Sequence, residues 1–326
     1  MYFPNHIEDI CYEKDHIEQV LCEIRSNFPH YFEKFIETEA GRVLSNENFI
    51  KLAEHFGSRS QVVERRRKDY AKSFRNIVKE SIESFHKDRQ SYLDILDEDA
   101  LEEYEDDPSY FKNSVLKNQC PIIRATLQNK KATELDKFRK AFALADPNDM
   151  LRVVKNLYDF AQRYVKDVYK ADQYELIDDV RELGLSDLDR EDYTVSGVIG
   201  GGIKSHMLYK LFPFAFPNRS REAIWALWYL TSKKTFGCVE DSEFLMINVE
   251  EGTTQQNYFY PYDLFAFYAL KVYLLLKKEA VKYGVNISSE YRYVILNSFL
   301  SFIAQNHAEE IDFLKAKVKD ESDGYY

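Results

Sequence analysis

Only 11 glycines and 8 prolines punctuate the 326 residues of this chain. Tight turns and strand reversals draw heavily on both residue types, so a chain this poor in them is restricted to long, uninterrupted elements. The apolar spacing agrees, since Ile7, Ile10, Ile17, Val20, Leu21, Ile24 and Phe28 recur at helical intervals. The expectation is a mainly α-helical chain, a bundle-like body of many helices. Its 24 tyrosines and 23 phenylalanines supply enough apolar area to fill a core despite 2 tryptophans.

A long helix is expected between Ser60 and Arg89, with Val63, Tyr70, Phe74, Ile77, Ile82 and Phe85 on its inner stripe. Arg65, Arg66, Arg67, Lys68, Lys72, Arg75 and Lys79 give it a basic face, and an acidic run from Asp94 to Asp107 follows. A basic amphipathic helix suits a nucleic acid or an acidic protein, and the acidic run offers a competing partner within the chain. A second helix carries the best start signal: Asp146 to cap, Pro147 at the first helical position and Asp149 three residues after the cap. It should end near Ala171, with a shorter helix over 172–184 closed by Gly184. Two last helices are expected at Tyr262 to Tyr283 and from Ser288 to about Lys319. One small β-hairpin is expected in the C-terminal half over 243–260, with strand Glu243 to Val249, turn Glu251-Gly252 and a return strand ending at Tyr260. The division is an N-terminal helical region, 1–145, and a C-terminal helical domain, 146–326, or one continuous body.

Charge and cysteine usage narrow the function classes. A formal net charge of −11 repels phosphate backbones as a whole, so any nucleic-acid binding requires a local basic surface. Cys11, Cys22, Cys120 and Cys238 form no CxxC pair, and the seven histidines lack metal-ligand spacing. No metal and no cofactor are therefore expected from linear spacing, and four reduced thiols point to the cytoplasm. MYFPNHIEDICYEKD holds acids where a leader's apolar region would stand, and Lys271 breaks the longest apolar run, so no membrane partner is expected.

Two segments carry candidate chemistry. The first is GVIGGGIK, Gly197 to Lys204, directly before a helical pattern, where exposed backbone N–H groups could hold a phosphate. Gly200, Gly202 and Lys204 resemble the turn of helix-hairpin-helix DNA-binding proteins, over a stretch reaching Trp225. In lyase-type DNA glycosylases with this hairpin a lysine after the turn attacks the sugar, so the resemblance implies Lys204 as a nucleophile. Those enzymes place an aspartate beyond the second helix, where this chain has Asn218 and Arg219. Near this turn His206, Arg219, Arg221 and Trp225 complete a constellation suited to a phosphate or carboxylate. The second segment, Thr253 to Asn257, offers Gln255, Gln256 and Asn257 as readers of a polar ligand or base edge beside Tyr258, Tyr260 and Tyr262. Asp241, Glu243, Glu250 and Glu251 surround the expected strand without the lysine that a metal-dependent nuclease site would need.

These residues imply a binding or regulatory protein whose partner is a protein or a nucleic acid. The proposed site gathers Lys204, His206, Arg219, Arg221, Gln255, Gln256 and Asn257. The reading from a different class is a helix-hairpin-helix DNA-processing enzyme, glycosylase- or lyase-like, acting through Lys204.

Overall fold

The computed structural model describes residues 9–40, 59–130, 132, 135–238 and 260–322, and over these the chain is mainly helical. Helix α1, Lys14–Ala40, presents Val20, Leu21, Ile24, Phe28, Phe32, Phe35 and Ile36 inward at intervals of three and four. Its inner face packs against α2, Arg59–Ile95, where Tyr70 donates to Glu37 at 2.7 Å and Ser73 to the Ile36 carbonyl at 2.6 Å. A short α3, Glu98–Glu103, follows, capped by Asp97 through the Ala100 amide. After a π-helical stretch, Phe111–Gln119, come α4, Pro121–Gln128, and α5, Asp136–Leu144. Helix α6, Pro147–Arg163, starts as its sequence requires, with Asp146 accepting from the Asn148 and Asp149 amides at 2.7 and 3.3 Å.

The C-terminal helices are more apolar. They are α7, Gly201–Leu211; α8, Arg221–Leu230; α9, Tyr262–Lys282; α10, Arg292–Asn306; and α11, Ala308–Ser322. Every residue from Ala223 to Leu230 and from Tyr262 to Leu270 is buried. A helix apolar on all sides must sit at the centre of a core. Helices α1 and α2 pack on this centre through α8, α9, α7 and α10, so elements from both sides of residue 145 share one hydrophobic core. Each fully buried Leu or Phe side chain in it contributes about 1.5–3 kcal/mol.

Two expectations need correction. The segment 172–184 is not an α-helix but two 3₁₀ turns, Tyr174–Leu176 and Val180–Leu183, the second ended by Gly184 at φ 65°. Tyr174 is drawn into the core, where its hydroxyl meets the Ala215 carbonyl at 3.0 Å and the Tyr293 hydroxyl at 2.7 Å, and this tertiary anchor overrides the helical spacing. The last helix breaks at His307, whose ring stacks on Tyr229 at 3.6 Å and meets the Tyr31 hydroxyl at 3.0 Å. The expected hairpin over 243–260 lies, apart from Tyr260, outside the described residues. Among the described residues no sheet forms, and the β pairing is an isolated antiparallel bridge between Val195 and Ile199.

Candidate functional site

The glycine-rich turn delivers α7 into an ionic seam whose cations, Lys204 and Arg219, are buried while its acid Asp189 reaches solvent. Gly197 supplies a left-handed backbone, φ 72°, and the chain then enters α7 with Gly200 as its N-cap residue. The preceding element is a 3₁₀ turn, Glu191–Tyr193, followed by extended chain, so no α-helix leads directly into the turn. This differs from a helix-hairpin-helix, in which two helices flank the glycines. The close approach also falls on a different glycine. A Cβ on Gly201 would lie 2.5 Å from the Arg219 guanidinium carbon, whereas one on Gly200 meets nothing and one on Gly202 makes ordinary contact with the Arg219 carbonyl at 3.8 Å.

Arg219 is 4% exposed and lies before Ser220, which caps α8 by accepting from the Ala223 amide at 3.1 Å. Its guanidinium turns inward over Gly201 and donates to the Tyr260 carbonyl, and its backbone amide donates to Ser205 at 3.1 Å. Lys204 is equally buried. Its amine donates to the Leu188 carbonyl and stands 3.8 Å from Asp189. Burial pushes that amine down to about 8, with Asp189 opposing the shift and Arg219 adding to it. Asp189 in turn accepts from the Tyr262 amide at 2.8 Å, at the first residue of α9. Next along, Asp263 accepts from the Tyr12 hydroxyl at 3.1 Å and from the Leu264 amide at 2.7 Å. The seam therefore ties the N-terminal 3₁₀ turn, Asp9–Tyr12, to α7, α8 and α9 through two cations and two acids.

The other sequence candidates separate. His206 is on the opposite side of α7 from Lys204, edge-on to Tyr92 at 5.4 Å, and burial followed by the Lys210 charge pushes it down to about 4, so it is neutral at physiological pH. Arg221 is exposed at the first position of α8, and Gly202 is exposed. Gln255, Gln256 and Asn257 lie outside the described residues. Asp189 was not singled out by sequence reasoning because nothing in its 3₁₀ neighbourhood, SDLDRED, marks one acid among four. Elsewhere, a mixed-charge groove of about 580 Å³ is lined by Glu98, Asn156, Tyr158, Asp159, Arg163 and Tyr193, without a buried titratable group.

Asp263 gives the seam a measurable pH signature. Burial first, then the Asp189 charge, raises its carboxyl to about 6. A carboxyl raised on folding stabilises the chain fully below its unfolded value and loses that contribution as pH rises through about 6. An asparagine keeps the acceptor for Tyr12 and Leu264 and removes the charge. Asp263→Asn should therefore raise stability at pH 8 by about 2–3 kcal/mol, a gap that closes toward pH ~4. Urea denaturation across that range checks it, and a gap independent of pH would sink the assignment.

Comparison with protein-family models, with curated proteins and with solved structures finds no match to this chain.

Proposed function

We propose that this chain is a non-enzymatic binding protein that docks a nucleic acid through the basic row of α2. The observation that carries the reading is the orientation of that helix. Lys72, Arg75 and Lys79 are exposed at intervals of three and four, while Ala71, Phe74 and Ile77 are buried on the other side. Lys72 and Arg75 make no ion pair among the described residues, and Lys79 has only an exposed partner, Glu83, at 3.7 Å. Such a surface pair contributes little. The same register runs back through Lys68 and Arg65, whose backbone is helical. At 1.5 Å per residue Asp94 lies about 28 Å along the helix from Arg75, so the acidic run begins at the far end of α2. Its Glu105 pairs with Lys155. The exposed cations Lys72, Arg75 and Lys79 on a chain of net charge −11 are a local exception of the kind that phosphate binding needs.

By contrast Lys204 and Arg219 are committed to acceptors within the protein. The reading of Lys204 as a lyase nucleophile has the lowered amine pKa in its favour. Its 4% exposure and the absence of a helix before the turn weigh against it.

The test is fluorescence anisotropy with single- and double-stranded DNA and RNA over a salt series. Wild type should bind at low salt, and Lys72→Ala/Arg75→Ala/Lys79→Ala should bind at least about tenfold more weakly with a salt slope smaller by about 2–3. Lys204→Ala should bind like wild type and should not differ from it in borohydride trapping on abasic DNA. Absence of binding at low salt would refute the nucleic-acid reading and direct the search to acidic protein partners. A trapped wild-type adduct that Lys204→Ala loses would establish the lyase instead.

A further inference from the structure

Cys11 and Cys238 are 227 residues apart in sequence, yet their Sγ atoms stand 3.5 Å apart in the core. The ring of His16, in the first turn of α1, joins them: one ligand atom from each of the three residues lies within 4.8 Å of the other two, and all three side chains are buried. We infer that Cys11, His16 and Cys238 form a metal site of Cys₂His type that takes a zinc-class divalent cation.

Chemistry and geometry both select this class. Thiolate and imidazole donors suit a tetrahedral, borderline-soft ion, not magnesium or calcium, which seek oxygen. Two thiolates on one tetrahedral zinc, at Zn–S about 2.3 Å, stand about 3.8 Å apart. The observed 3.5 Å is near that separation and well beyond the ~2.05 Å of a covalent disulfide. Binding exchanges two thiol protons for the ion: both S–H bonds break, two protons leave to solvent, and two Zn–S bonds and one Zn–N bond form. A dication, two thiolates and a neutral imidazole sum to zero charge, so the occupied site carries no net charge into the core.

The surroundings support the assignment. Cys238 arrives on the turn after α8, where Ser232, Lys233 and Phe236 all have left-handed backbone angles despite carrying side chains, with Gly237 at φ 78°. Conformations of this kind persist where the surroundings over-determine them, and they cluster at ligand sites. The Phe236 ring packs edge-on to His16 at 5.9 Å, so the strained turn also orients the imidazole. Tyr260 and Tyr268 are both fully buried and each interacts electrostatically with both thiols. Three protein ligands leave one tetrahedral position for water. Bound, the ion would fasten the N-terminal 3₁₀ turn and the start of α1 to the exit of α8. None of this depends on the basic row of α2.

The experiment measures metal in the full chain, purified under reducing conditions without a chelator or an affinity tag. One equivalent of zinc is expected, lost in Cys11→Ser, Cys238→Ser and His16→Asn and retained in Cys22→Ser, whose thiol is exposed. Cobalt(II) added to chelator-stripped wild type should give a thiolate-to-metal charge-transfer band with tetrahedral d–d absorption. That spectrum decides the question even where a variant fails to fold. Well under one equivalent of zinc together with no cobalt spectrum would overturn the site, as would metal retained by the folded ligand variants. A Cys11–Cys238 disulfide recovered from non-reduced, metal-free wild type would overturn it in favour of a redox pair.

Discussion

Glu175→Ala is expected to lower the stability of this chain by about 3–5 kcal/mol, far more than Arg292→Met, because it strands a cation that has no exposure to solvent. Arg292 opens α10, where the positive end of the helix dipole already disfavours it. It is 0% exposed and held among three tyrosine rings, 4.6 Å from the centre of Tyr174, 5.5 Å from Tyr273 and 5.9 Å from Tyr169. The carboxylate of Glu175 stands 3.6 Å from its guanidinium, and its Nε donates to the Ser289 carbonyl at 3.3 Å. Desolvating a guanidinium costs several kcal/mol, and ring faces recover only about 2 kcal/mol of it each at best. The carboxylate has to supply the rest. Methionine at 292 keeps the stem that packs on the rings and removes the charge, leaving Glu175 with Lys277 at 2.5 Å and the Tyr273 hydroxyl at 3.3 Å. Urea denaturation of Glu175→Ala, Arg292→Met and the double variant reads the coupling directly. The double variant should be more stable than Glu175→Ala alone. If Glu175→Ala costs under about 1 kcal/mol, the tyrosine cage suffices without the carboxylate, and this account fails.

What was legible in the sequence follows from the range of the forces involved. The cap of α6 was legible because Asp146, Pro147 and Asp149 act on amides two and three residues away. The basic row of α2 was legible because its spacing is the period of the helix itself. The seam was not, since it depends on Asp189, Tyr260 and Asp263 arriving from elements with no local marker of the meeting. Lys204 drew notice for its place after three glycines, but its environment comes from a carbonyl 16 residues earlier. Cys11 and Cys238 show the limit most clearly. Metal-ligand spacing detects ligands from one loop, and here the third ligand comes from beyond α8. The helix expected to continue past His307 fails for the same reason: Tyr31 and Tyr229 hold that residue, and neither is near it in the chain.

Among the three consecutive glycines, only Gly201 should resist alanine. At Gly202 an added Cβ meets the Arg219 carbonyl at an ordinary 3.8 Å, and alanine inside a helix limits the unfolded chain, so Gly202→Ala should stabilise by about 0.4–1 kcal/mol. Gly200 has an extended backbone, φ −102°, and open space, so its alanine variant should be close to neutral. At Gly201 the new atom would occupy the guanidinium of Arg219, which cannot step aside cheaply. That group is 4% exposed and bound to the Tyr260 carbonyl, so displacing it combines overpacking with the loss of a charge-assisted hydrogen bond. Overpacking costs about 1–3 kcal/mol and the bond about 1.5–3 kcal/mol, which puts Gly201→Ala near 3–5 kcal/mol. The partner variant separates this cause from a general intolerance of the turn. Arg219→Ala opens the space, so Gly201→Ala should cost little when added to it, and the two changes should be strongly non-additive. Thermal and urea denaturation of the two single variants and the double variant measure this. Additive costs would mean that Gly201 is needed for its backbone alone, and that the guanidinium does not set which of the three glycines is indispensable.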